Sequence, residues 1–134
     1  MPMSGHCYCG RVRFEASGEP LMKGQCYCRE CQYISGGGPN NFLAMPADGF
    51  RYTAGTPKSF KRDDLDNAVT REFCPDCGTS LATRGEGWPF VVVKVGPLDD
   101  PAAFTPRVAI QLADKQPWHN VPVGVKQFER WMPR

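Results

Sequence analysis

The stretch Gly24-Gln25-Cys26-Tyr27-Cys28-Arg29-Glu30-Cys31 places three cysteines within six residues, and how they are satisfied decides what fold this chain can have. A zinc ion held structurally by thiolates takes four of them in a tetrahedron, so this stretch alone is one ligand short. Four more cysteines lie outside it, in the pairs Cys7-x-Cys9 and Cys74-x-x-Cys77. Both pairs end in Cys-Gly (Cys9-Gly10 and Cys77-Gly78), and glycine there permits a tight turn that points backbone N–H groups at sulfur. Pro75 stiffens the second turn further. Cys7, Cys9, Cys74 and Cys77 together close a tetrahedral structural zinc site that staples the start of the chain to its middle. Cys26, Cys28 and Cys31 are then left with three protein ligands and one open position, the arrangement of a catalytic zinc.

Other closures of the trio stay open on spacing alone. His119, more than His6, which adjoins Cys7, could supply an imidazole; Glu30 or Asp76 could supply a carboxylate. The three could also be buried thiols packing like small hydrophobes, although thiols this close together form a metal trap.

The remaining composition fits this reading. A chain of 134 residues with 41% hydrophobic content suits one domain, residues 1–134, with a modest core. Its 14 glycines and 13 prolines imply many turns and short elements, which disfavours a bundle of long helices. No apolar run reaches membrane-spanning length, since the most apolar stretch, Phe90 to Val93, is broken by Lys94. The beginning MPMSGHCYCG has neither a basic nor an apolar export region, so a cytoplasmic protein is expected. Seven cysteines, an odd number, in a reducing compartment point to metal rather than disulfides. Because metal-bound cysteines are deprotonated, two zinc ions would turn the formal charge of +2 slightly negative, so the basic pI is no sign of a nucleic-acid partner.

Strand signals dominate. Arg11 to Ala16 alternates with Val12, Phe14 and Ala16 on one face. Shorter strands are expected at Asn41 to Met45, Phe50 to Thr53, Ser59 to Lys61, Ala68 to Phe73 and Ser80 to Thr83, each bounded by turn residues. Phe90 to Val95 is β-branched and nearly continuous, so it should be the most buried. Helix is expected only briefly, at Arg29 to Ser35, at Asp99 to Phe104 with an aspartate cap, and as a terminal turn within Val125 to Trp131.

The motifs GxCxCGxVRFE (Gly5 to Glu15), CxCxxCxxxSGG (Cys26 to Gly37), RxFCPDCGTSL (Arg71 to Leu81), LDDPxxFxP (Leu98 to Pro106) and Pro117-Trp118, taken in order, resemble the glutathione-dependent formaldehyde-activating enzyme family, which includes the centromere protein V-like proteins. The resemblance runs from Gly5 to Trp131 and is carried mainly by the three cysteine groups. It implies an Mss4-like fold of several small coiled antiparallel sheets organised around zinc, with few short helices. It implies the same division between a structural set and a catalytic trio. It also implies condensation of formaldehyde with glutathione, a carbon–sulfur lyase reaction run in the direction of addition. Two positions depart from the family pattern: Tyr27 stands between the first two trio cysteines, where histidine is usual, and Ala109 precedes Ile110, where a second histidine is common.

The chemistry expected of such a site is addition of a small thiol, with glutathione as the type, to a small aldehyde, or the reverse, with the thiol as fourth zinc ligand. Three donated thiolates make the metal a mild Lewis acid better suited to thiol exchange than to hydrolysis. The segment Ser35 to Asn41 could receive a peptide-like ligand or be an ordinary turn, and Arg29 could pair a carboxylate or stay solvated. Arg71 and Arg84 are weaker candidates. Trp118 is expected to pack on the core, Tyr27 to pack or support a ligand, Asp99 and Asp100 to cap a helix, and Lys61 to Asp66 to form a solvated turn. The alternative from another class is a binding or scaffold module in which both zincs are structural.

Overall fold

The computed structural model describes residues 2–131. In chain order the strands are β1 (Met3–His6), β2 (Arg13–Ala16), β3 (Met22–Cys26), β4 (Asn40–Pro46), β5 (Phe50–Ala54), β6 (Lys58–Phe60), β7 (Thr70–Phe73), β8 (Ser80–Arg84), β9 (Phe90–Lys94), β10 (Val108–Ile110) and β11 (Lys126–Gln127). One α-helix, α1 (Arg29–Ser35), falls where the sequence predicts it. Gly36 ends it in the left-handed conformation at φ 79°, a backbone shape that costs glycine little.

The strands form two sheets. One has the order β1-β2-β5, and the other runs β11-β10-β3-β4-β9-β8-β7-β6. Pairing is antiparallel except at one end of the long sheet, where β10 runs parallel to both β3 and β11. The principal core unites Val12, Phe14, Ala16 and Phe50 with Leu43, Met45, Leu81, Val91 and Val93. Each large apolar side chain so buried contributes about 1.5–3 kcal/mol. The architecture is mainly β with short helical pieces, as expected.

Alternation gives the long sheet a second face. Leu43, Met45, Val91 and Val93 point to the principal core, so Phe42, Ala44, Phe90, Val92 and Lys94 point the other way. Pairing register sets these residues in rows across the strands. One row is Met22, Ala44, Val92, Thr83 and Arg71; the next is Val108, Gly24, Phe42 and Lys94; a third is Ile110, Cys26 and Asn40. Gly24 makes the middle row possible, because a Cβ there would lie 2.9 Å from the Phe42 ring and 3.1 Å from Val108. No helix among the described residues is long and apolar enough to cross a membrane.

Several expectations need correction. β2 starts at Arg13 rather than Arg11, because the chain is still turning: Cys7 N–H donates to Val12 O at 3.0 Å and Gly10 N–H to Cys7 O at 2.9 Å. Asp99 and Asp100 do not cap a helix. Only a 3-10 turn forms at Pro101–Ala103, Asp100 makes no side-chain cap bond, and Asp99 instead accepts from Ser4 Oγ at 2.6 Å. Within Val125 to Trp131 the chain adds β11 beside β10 instead of a helical turn. β1, β3 and β10 were not expected from local pattern. β3 reads MKGQC, with neither alternation nor β-branched residues, and is made a strand by partners on both sides.

Candidate functional site

The two cysteine turns form as their Cys-Gly endings require. Gly10 and Gly78 sit at φ 81° and 78°, and each N–H donates to the first cysteine carbonyl of its pair at 2.9 Å. The freed amides reach sulfur: Val12 N–H donates to Cys7 Sγ at 3.3 Å, and Asp76 and Cys77 N–H donate to Cys74 Sγ at 3.4 and 3.5 Å. All four Sγ atoms lie within 4.8 Å of one another, with Cys7–Cys9 at 3.5 Å and Cys9–Cys74 at 3.8 Å. A tetrahedron with Zn–S arms of about 2.3 Å has edges of about 3.8 Å, so this donor set fits zinc. Hydrogen bonds from Thr79 pull the Cys77 thiol down to about 5, which favours the thiolate a metal needs. Cys7 and Cys74 are fully buried, Cys77 is half-buried and Cys9 is exposed.

Cys26, Cys28 and Cys31 are also within 4.8 Å of one another. Cys26 is the last residue of β3, Cys28 is the N-cap of α1 and accepts from Cys31 N–H at 3.4 Å, and Cys31 lies one turn on. Their titrations compete. Hydrogen bonds from Cys26 and Cys31 pull Cys28 down to about 2, while that same thiolate and burial push Cys26 far up. Cys31 rises to about 11: the contact with Cys26 lowers it, but Cys28 and burial outweigh that. Protein groups alone therefore support one thiolate here, and three require a cation among them.

None of the rival ligands joins the trio. His119 is buried with both ring nitrogens engaged: Nδ1 accepts from Gln116 N–H at 2.9 Å, which leaves Nε2–H to donate to Gly37 O at 2.7 Å. It clamps the glycine segment after α1. His6 donates from Nδ1 to Cys7 O at 2.6 Å, and Asp76 pairs with Arg11 at 3.2 Å beside the other cluster. Among the described residues no histidine or carboxylate groups with these three sulfurs.

The trio opens onto the second face of the long sheet, where a cavity of about 340 Å³ is walled by Met22, Phe42, Ala44, Phe90, Val92 and Ile110. Trp88 stacks on Phe90 at 4.9 Å and also lines it. Its polar lining is sparse: the cysteines, Asn40, Arg71 and Thr83. Thr83 is 5% and Lys94 6% exposed, and Thr83 Oγ1 and Lys94 Nζ are buried without a partner among the described residues. Burial lowers the Lys94 ammonium to about 8, against the attraction of the Cys31, Cys26 and Cys28 sulfurs. A second cleft of about 540 Å³ lies on the far side of Cys28, lined by Glu30, Tyr33, Arg62, Asn67 and Arg71. Cys28, Val69 and Arg71 belong to both.

Thr83, Lys94 and the central place of Arg71 were missed by sequence reasoning. The lysine inside an apolar strand was the available signal; the threonine offered none, because its neighbours come from other strands. Arg29 bonds Gln32 and lies over the Tyr33 ring rather than facing the sulfurs, and Arg84 pairs with Glu72 at 2.8 Å. Of the two asparagines, Asn40 reaches the cavity while Asn41 accepts from Gln25 at 2.8 Å. Trp118 is 63% exposed and packs on His119 at 4.3 Å, not on the core as expected. Tyr27 is a packing residue as expected: it is fully buried, donates to Gln25 Oε1 at 2.8 Å and meets His119 edge-on.

Residues 2–114 match the family described as glutathione-dependent formaldehyde-activating enzyme. A crystal structure of a Rhodobacter sphaeroides protein shares the fold, with a TM-score of 0.60, 19% identity, and coverage of 94% of this chain and 99% of that one. No curated protein matches this chain.

Proposed function

Since the chain belongs to the glutathione-dependent formaldehyde-activating enzyme family, we propose that it is a zinc-dependent carbon–sulfur lyase that joins a small thiol to an aldehyde, or separates them. It works as one cytoplasmic domain of residues 1–134 with two zinc ions, taking a thiol of the glutathione kind and neither nucleic acid nor membrane as partner. Cys7, Cys9, Cys74 and Cys77 hold the structural ion, and Cys26, Cys28 and Cys31 hold the catalytic one. The observation that supports this reading is the contrast between a set of four sulfurs, enough to complete a zinc tetrahedron, and a set of three that lines a cavity.

Zinc bound by the trio supplies a coordination position at which an incoming thiol gives up its proton. The addition is balanced without an oxidant: the thiolate pair forms the C–S bond, the carbonyl π pair moves onto oxygen, and the proton lost by the thiol ends there. Thr83, whose buried hydroxyl has no partner among the described residues, lines the same cavity. Arg71 and Lys94 oppose the negative charge of three thiolates and of the developing alkoxide. The apolar walls limit water beside the reacting carbon.

A scaffold with two structural zincs is less well supported, because a cavity beside an incomplete ligand set serves no structural purpose. The test is zinc content and thiol competition on purified protein, with product followed by NMR. The expected result is two zincs per chain, one perturbed by millimolar-scale glutathione, and S-hydroxymethylglutathione formed faster than without protein. A second site indifferent to thiols would refute the proposal.

A further inference from the structure

We infer that the 340 Å³ cavity is a specificity pocket for an apolar, ring-sized substituent on the carbonyl partner, so that the preferred aldehyde is aromatic or branched rather than formaldehyde; this rests on the thiol–aldehyde reaction proposed above. A one-carbon aldehyde has two heavy atoms and fills at most about two water volumes, ~60 Å³, leaving most of the space unused. Ligand cavities of 300 Å³ and more ordinarily surround a drug-sized group. The walls decide its chemistry. Met22, Phe42, Ala44, Phe90, Val92 and Ile110 present no hydrogen-bonding side-chain atom, and burying the charged amine and carboxylates of a glutathione-like thiol against them would be costly.

The cavity is built as a site and not merely as a gap in packing. Thr83 lines it one strand from Arg71, with a buried hydroxyl that has no partner among the described residues. The second cleft is also largely apolar, with Tyr33, Ile34, Phe60 and Leu65 on its walls, but it adds Arg62, Asn67 and Arg71, donors that a thiol bearing carboxylates could use. The two clefts share Cys28, Val69 and Arg71, so reactants held in each would border the same cysteine.

Binding and turnover test this separately in the zinc-loaded protein. Each buried methylene is worth about fourfold in affinity. The unreactive 4-tert-butylbenzyl alcohol should therefore bind saturably by calorimetry, and Ala44→Phe, which fills the cavity, should weaken it at least tenfold with zinc content unchanged. With glutathione fixed, kcat/KM for benzaldehyde should exceed that for formaldehyde at least tenfold. Val92→Ala, which enlarges the cavity, should shift preference further toward 4-tert-butylbenzaldehyde, and it keeps the test decisive if Ala44→Phe fails to fold. Turnover of formaldehyde alone, without alcohol binding, overturns the apolar specificity and leaves the proposed reaction standing. Alcohol binding without turnover of any aldehyde refutes that reaction and the carbonyl assignment with it. A preference that follows the thiol, benzyl mercaptan over glutathione at fixed formaldehyde, gives the cavity to the thiol and also overturns the inference.

Discussion

Tyr27 and Ala109, the two positions where this chain lacks the histidines usual in the family, belong to one buried cluster with Leu112. Tyr27 fills this cluster with a fully buried ring. Removing only its hydroxyl, in Tyr27→Phe, should cost about 1 kcal/mol through the lost Gln25 hydrogen bond and lower the melting temperature by a few degrees. Zinc content and turnover should not change; loss of either would assign the phenol a role in the reaction. Lys94 behaves oppositely. Its buried ammonium has no partner among the described residues, so Lys94→Met should not destabilise the fold, yet it should weaken metal retention by the trio roughly tenfold in chelator competition, the scale of effect typical of groups that support metal ligands. Unchanged retention would show that the charge does not act on the trio. The two cysteine groups were legible in the sequence because donor spacing within a turn is local. The place of Thr83 was not, because it depends on the register of β7, β8 and β9 together.

β2, with an alternating pattern, and β9, with a β-branched run, were legible from burial pattern, and β4 as an apolar run bounded by turn residues. β3 and β10 were not; their strand character comes from partners distant in sequence, and β3 carries a lysine and a glycine that propensity counts against it. That glycine now has a reason. In Gly24→Ala the new methyl would press on the Phe42 ring, moving it into the cavity or displacing β3. The expected cost is roughly 1–3 kcal/mol, measured by denaturant unfolding, with weaker binding of apolar ligands. A neutral substitution would mean that the ring moves freely, and the cavity would then not be a preformed shape.

Across the whole molecule, the four-cysteine set links the turn before β2 to the turn between β7 and β8, joining the two sheets at a point where both strands of each pair end. Structural zinc contributes roughly 10–16 kcal/mol in small domains, comparable to a domain's entire stability. Cys77→Ser should accordingly unfold or aggregate the protein, whereas Cys28→Ser should keep native circular dichroism, lose one zinc and lose turnover. Equal unfolding by both would contradict the division of roles. The grouping of the cysteines into four and three was legible from their spacing; the cavity was not, because its walls are contributed by six strands. The central claim, a metal held by Cys26, Cys28 and Cys31 that takes a substrate thiol as a further ligand, is tested most directly by cadmium-113 NMR of the cadmium-substituted protein. Two resonances are predicted, one with the shift of four sulfur ligands and indifferent to glutathione, the other with the shift of three and moving to the four-sulfur range as glutathione is added. Two four-sulfur resonances from the outset, or a second resonance that glutathione does not move, would contradict it.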